Sequence, residues 1–138
     1  MTKDLISNMI SKLKNANLIN QTYILVPYSN KVFAILKIFL EQGYINDLQI
    51  LLTSEKKKQI KIFLKYKGWW IKKPTFSILT RVSKPGRRIF SGYKDFYKKL
   101  ASLNLMQGLA IVSTSIGILT HLKAKKLKKG GEILCYIE

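Results

Sequence analysis

Three hydroxyl side chains in succession, Ser113, Thr114 and Ser115, lie between apolar residues on both sides, with Gly117 just beyond. The stretch from Gly108 to Thr120 reads as an apolar strand, a tight turn and a second apolar strand. A hydroxyl both donates and accepts hydrogen bonds. Three held at a fixed angle by flanking strands suit reading polar edges rather than neutralising charge. Gly117 permits either a positive φ or a close backbone approach. The same pattern also describes a Ser/Thr-rich hairpin turn with no partner.

Other chemistries find little in the chain. The seven acids are scattered without a close pair, and no G-x-S-x-G elbow appears. Phosphate-cradling glycine motifs are also missing. His121 has no second His or Cys near it, so the sequence offers no metal set and no cofactor site. A single cysteine, Cys135, excludes an intramolecular disulfide framework. It sits in the run Ile133-Leu134-Cys135-Tyr136-Ile137 and reads as a buried strand residue. The chain is therefore expected to bind rather than catalyse.

Charge indicates what it binds. Lys and Arg total 25 against 7 Asp and Glu, a net charge of +18 in 138 residues. That excess calls for a polyanionic partner. Hydrophobic residues make up 47 %, enough for a real core, so the chain is not a basic disordered tail. No apolar stretch approaches the ~20 residues that span a bilayer, and the N-terminal stretch lacks a signal peptide's apolar block. Nor is there an import presequence, so a protein of an organelle would be made there or have lost one. Zinc-finger spacing is missing. A structured RNA, whose wide minor groove displays 2′-hydroxyls and base edges, fits the hydroxyl turn better than DNA.

The elements that must hold this turn follow in order. Leu5, Met9 and Leu13, with Ile6 and Ile10, predict a helix over 4–15, capped by Thr2 or Asp4 and ended by Asn15-Ala16-Asn17. A strand at 22–26 stops at Pro27. Ser29 is placed to cap a second helix over 30–42, whose Val32, Ile35, Leu36, Phe39 and Leu40 repeat at helical spacing, and Gly43 ends it. Strands at 45–53 and 59–66 flank a lysine-rich tip, Lys56-Lys57-Lys58, read as solvated. This αβαββ half ends at 67–74, where a glycine and a proline frame Trp69 and Trp70, residues that suit either burial between the halves or base stacking. The second half opens with a strand at 75–83. A basic Pro-Gly turn follows at Lys84–Arg88, and Ile89-Phe90 starts a return strand. A helix over 93–104 turns Phe96, Tyr97, Leu100 and Leu103 inward. After the hydroxyl hairpin, a lysine-rich helix over 121–129 packs Leu122 and Leu127 down and stops at Gly130-Gly131. A strand at 132–137 closes the chain. The fold class is α+β, in two small domains: residues 1–67, αβαββ, and 68–138, mainly β with short helices.

Three groups of residues carry a resemblance. They are Ile111–Gly117 with Gly130–Ile137, Arg81–Phe90, and, in the first half, Asp4–Met9, Lys14–Ala16, Val26–Ser29 and Glu41–Ile45. Together, in one order from end to end, they closely resemble small-subunit ribosomal protein eight of bacteria and organelles.

The resemblance implies a primary rRNA-binding protein that stabilises the central domain, or platform, of the small subunit beside neighbouring small-subunit ribosomal proteins. It implies that Ser113, Thr114, Ser115 and Gly117 enter the irregular core of an rRNA helix, with Glu132 as neighbouring support. Lys84, Pro85, Gly86, Arg87, Arg88 and Phe90 form a second contact stretch, and Asn15, Ser29 and Lys31 match backbone-contact positions. Phe90 stands where the family usually has tyrosine, and Lys84 where arginine is usual. The segment between Phe90 and Gly108 is longer than in typical bacterial members. Asn30 and Lys31 blur the usual basic pattern after Ser29. With the abundance of lysine and isoleucine, these departures point to an organelle-encoded member, ranked mitochondrion first, plastid second and an AT-rich bacterium third. The rival expectation is a free-standing RNA-binding regulator of its own or another messenger RNA.

Overall fold

The computed structural model describes residues 4–68 and 73–138. They form two compact units, Met1–Phe76 and Ser77–Glu138.

The first unit begins with helix α1, Leu5–Leu18. Asp4 caps it: its side chain accepts from the Ser7 backbone N–H at 3.3 Å and from the Ser7 hydroxyl at 2.6 Å. Thr2, the alternative cap, lies outside the described residues. The helix does not stop at Asn15. It runs on to Leu18 because Ala16 and Asn17 still face the interior. Strand β1, Tyr23–Pro27, leads to helix α2, Asn30–Glu41. Ser29 precedes α2 in extended conformation, but its side chain makes no capping bond; the backbone contact is Phe33 N–H to Ser29 O at 2.9 Å. Gly43 leaves α2 at φ +82°, a conformation natural to glycine. Strands β2, Ile45–Leu52, and β3, Lys58–Leu64, complete αβαββ in the antiparallel order β1-β3-β2. The inward row is Ile24, Val26, Ile60, Ile62 and Leu64. It meets Met9, Leu13, Val32, Ile35, Leu36 and Phe39 in the buried interior. Each such side chain contributes about 1.5–3 kcal/mol.

The boundary expected after residue 67 lies earlier than the division at 76. Strands β4, Tyr66–Lys67, and β5, Lys73–Pro74, pair with each other and fold the chain back on the first unit. The Thr75 hydroxyl then bonds the Tyr44 carbonyl. Trp69 and Trp70 lie outside the described residues.

The second unit is built on a sheet of β6 (Leu79–Arg81), β7 (Phe90–Ser91), β8 (Leu109–Thr114), β9 (Gly117–Thr120) and β10 (Gly131–Ile137). Its order is β6-β10-β8-β9, and β7 also pairs with β10. The last strand is central, and Ile133 through Ile137 are all buried, as a continuous apolar run requires. A bulge between Ile133 and Cys135 shifts its register against β8. Helices α3, Phe96–Ser102, and α4, His121–Lys126, are shorter than expected. Phe96, Leu100 and Ala124 join Val82, Ala110, Val112, Ile133 and Tyr136 in the core.

Three inward assignments are corrected here. Tyr97 is exposed, its ring meeting His121 edge-on at 5.9 Å, with Lys125 Nζ 4.6 Å from its centre. Leu122 and Leu127 are also exposed. The face of α4 that packs down belongs to His121 and Ala124, and Thr120 caps the helix by accepting the Lys123 N–H at 3.2 Å. His121 is buried, and its Nδ1 accepts the Ala110 N–H at 3.0 Å.

Candidate nucleic-acid interface

The hydroxyl run does not form one continuous turn. Ser113 and Thr114 belong to β8, and Thr114 pairs with Gly117 of β9. The turn is the two residues between them, Ser115 and Ile116. Gly117 has φ +130°, yet a Cβ there would have no atom within 4 Å. Of its two possible uses, the backbone conformation is the one the structure shows. Ile116 is exposed at the tip.

The three hydroxyls divide their work. Thr114 Oγ1 donates to the Gly117 carbonyl at 2.7 Å and accepts the Ile116 N–H at 3.3 Å, closing the turn from inside. Among the described residues, the Ser113 and Ser115 hydroxyls have no such partner.

Register brings the distant parts of the sequence together. Ser113 stands opposite Ile118 on one side and Glu132 on the other, and Glu132 stands opposite Phe90. Directly opposed antiparallel residues share a face. A hydroxyl, a carboxylate and an aromatic ring therefore stand in one row across β8, β10 and β7. Phe90 is 64 % exposed. Arg88 Nη1 donates to Glu132 Oε2 at 3.1 Å and steadies the carboxylate from the side.

Glycines set the spacing of this row. A Cβ on Gly131 would lie 2.0 Å from the Ser113 carbonyl oxygen, and one on Gly130 would lie 2.6 Å from that of Ser91. Sequence reading assigned this pair to ending a helix. Its second task, letting β8 and the stretch after β7 close on β10, becomes visible only when the register is known.

Lys84, Pro85, Gly86 and Arg87 make a tight turn. Arg87 N–H donates to Lys84 O at 2.9 Å, the reverse bond measures 3.0 Å, and Gly86 has φ +84°. All four are exposed, as is Arg88. The return strand pairs with β10 rather than with β6. Ser83 holds the base of this loop, its hydroxyl accepting the Ile89 N–H at 2.9 Å. Asn15, Ser29 and Lys31 belong to the first unit. Asn15 is exposed near the end of α1, Ser29 is half-buried before α2, and Lys31 is exposed in the first turn of α2. The lysines of the β2–β3 tip are exposed, as expected, with Lys57 Nζ 3.7 Å from Glu55.

The family model described as Ribosomal protein S8 matches residues 4–137. The chain belongs to the ribosomal protein S8 family. Its relatives include the small ribosomal subunit protein uS8c of Phaeodactylum tricornutum, 42 % identical over 137 residues and covering 99 % of both chains. That of Physcomitrium patens is 43 % identical over 138 residues, again with 99 % of each covered. The uS8 protein of the cyanobacterium Microcystis aeruginosa is 40 % identical over 134 residues, 97 % of this chain and 96 % of its own. As a member of the S8 family, the chain is a structural protein of the small ribosomal subunit, and rRNA binding is typical of that family. An organelle or bacterial ribosome follows from these relatives. The mitochondrion, ranked first from the departures and the abundance of lysine and isoleucine, finds no support: these relatives are chloroplast-type and cyanobacterial proteins.

Proposed function

We propose that the second unit recognises the central domain of small-subunit rRNA through the Ser113–Ser115 hairpin, in a plastid ribosome, beside neighbouring ribosomal proteins. The observation that carries this reading is the division of the hydroxyls. Thr114 is committed to the turn, which leaves Ser113 and Ser115 to meet a partner beside Glu132. Glu132 accepts hydrogen bonds and each serine can both donate and accept. Such a set matches a base edge or ribose hydroxyl that carries both kinds of group. The lysines supply affinity for any phosphate backbone but do not choose among RNAs. Phe90 of β7 and the turn Lys84–Arg88 before it extend the contact, and Asn15, Ser29 and Lys31 offer backbone contacts from the first unit. The chloroplast-type relatives support the plastid assignment.

The test is binding of the purified chain to a cognate rRNA fragment and to an unrelated duplex of equal length. Each lost hydroxyl bond is worth about 0.5–1.5 kcal/mol. Ser113→Ala/Ser115→Ala is therefore expected to lose on the order of tenfold in affinity for the cognate fragment and much less for the duplex. A folded double variant that keeps its full preference removes the hairpin from recognition.

A further inference from the structure

One buried side chain fastens the base of the basic turn. Ser83 is fully buried. Its hydroxyl accepts the Ile89 N–H at 2.9 Å and donates to the Ile89 carbonyl at 3.2 Å. Both residues also bond the backbone of Ile133 in β10. Ser83 N–H donates to Ile133 O at 3.1 Å, and Ile133 N–H donates to Ile89 O at 2.9 Å. The two ends of 84–88 are thus held to each other and to a single residue of the central strand. The hydroxyl does here what strand pairing does elsewhere, because β6 and β7 each pair with β10 and not with one another.

Arg88 immediately precedes Ile89, and Glu132 immediately precedes Ile133. Fixing Ile89 on Ile133 therefore fixes where Arg88 meets Glu132, whose Oε2 accepts from Arg88 Nη1 at 3.1 Å. The Glu132 side chain is only 12 % exposed, so leaving its charge unpaired would be costly. It also stands in the row of Ser113 and Phe90. A carboxylate in a surface that meets RNA repels phosphates unless a cation lies against it. Held and neutralised, it is an acceptor for a base amino group or a ribose hydroxyl. Arg87, one residue earlier, is exposed on the turn itself.

We propose that Ser83 and Arg88 are positioning residues for the choice of RNA, acting through Glu132. The Ser83 hydroxyl fixes the end of the turn, and Arg88 holds and neutralises the carboxylate in the recognition row. Arg87 instead meets the phosphate backbone. The proposal rests on the RNA-binding reading above and deepens it: two neighbouring arginines of one turn have different tasks, one serving discrimination and the other general affinity.

The experiment is a double-mutant cycle read by RNA binding. Full-length chain is titrated with a cognate rRNA fragment and with an unrelated duplex of equal length, over a salt series. Arg88→Met, Arg87→Met and Ser83→Ala are each measured with Glu132 intact and with Glu132→Gln. Arg88→Met should lose about tenfold in affinity for the cognate fragment and much less for the duplex. Beside Glu132→Gln the same change should cost little, because no carboxylate remains to be held. Ser83→Ala should show the same dependence on Glu132. Arg87→Met, which removes an equal charge, should weaken both RNAs alike, lower the salt slope by about 1, and do so in either background. If melting shows Ser83→Ala to be unfolded, the Arg88→Met cycle alone decides. A folded Arg88→Met variant that keeps full cognate affinity, or loses it equally in both backgrounds, overturns the proposal and leaves the hairpin reading intact. Wild-type protein without a preference for the cognate fragment overturns both.

Discussion

Substitution of Gly131 by alanine tests whether strand spacing, rather than the hydroxyls alone, makes the site. The added Cβ would sit 2.0 Å from the Ser113 carbonyl oxygen and 2.9 Å from its carbon. Ordinary contact begins at 3.4 Å, so the shortfall is about 1.4 Å. Both obstructing atoms are backbone, so no flexible side chain can swing aside. Paired strands lie about 4.7–4.9 Å apart, and opening them by over an ångström weakens the ladder on either side. Overpacking alone costs ~1–3 kcal/mol, and a weakened ladder bond adds ~0.5–1.5 kcal/mol. The expected loss is about 2–4 kcal/mol, a large share of the ~5–15 kcal/mol typical of a folded domain. Urea denaturation should show the midpoint falling by about 1–2 M at an ordinary slope. Because Ser113 stands opposite Glu132, the surviving folded fraction should also bind cognate RNA less tightly. Gly117→Ala is the useful contrast. It meets no atom, but a side chain at φ +130° is strained by ~1–3 kcal/mol. An unchanged midpoint and affinity for Gly131→Ala would refute the argument from spacing.

Three further outcomes follow from named groups. Binding to the rRNA fragment should weaken steeply in a salt series, because lysine–phosphate contacts release counterions, and a flat series would reject a broad phosphate surface. Cys135 is fully buried, which pushes its thiol up to about 12, so a thiol reagent should label it only after denaturation; prompt native labelling would contradict its place in β10. Burial lowers the pKa of His121 from 6.5, and Lys125 lowers it further. Below about pH 6.5 the unfolded chain takes up that proton first, so stability should fall as the solution is acidified from there. His121→Gln should flatten this part of the stability profile.

The extent to which the fold could be read varied with how local its causes are. Helices α1 and α2 follow from their apolar spacing, and the β3 alternation of Ile60, Ile62 and Leu64 predicts its buried face directly. The inward faces of the short helices α3 and α4 were misread in part, because six or seven residues hold too few turns for a repeat to fix a face. In α4 it is His121 and Ala124 that pack down, and Leu122 and Leu127 are exposed. Residues 75–83 looked like one long strand, but only Leu79–Arg81 belongs to β6, because pairing with the C-terminal half of β10 defines its length. At the candidate site, Ser113, Ser115, Gly117, Glu132 and Phe90 were all legible as residue types. Their common row was not, since it depends on which strands pair. The internal task of Thr114 and the exposure of Ile116 were hidden for the same reason: a run of three hydroxyls does not reveal where a two-residue turn is centred.

The Thr114 bond across the turn has a consequence for how a complex assembles. A loop that must be ordered during binding carries an entropic penalty into every encounter. Here the tip is held by its own side chain before any partner arrives. On the proposed reading the hairpin arrives as a finished template, and adaptation falls to the RNA. The speed of productive docking, and its dependence on temperature and magnesium, should then report the rearrangement of the nucleic acid rather than that of the protein.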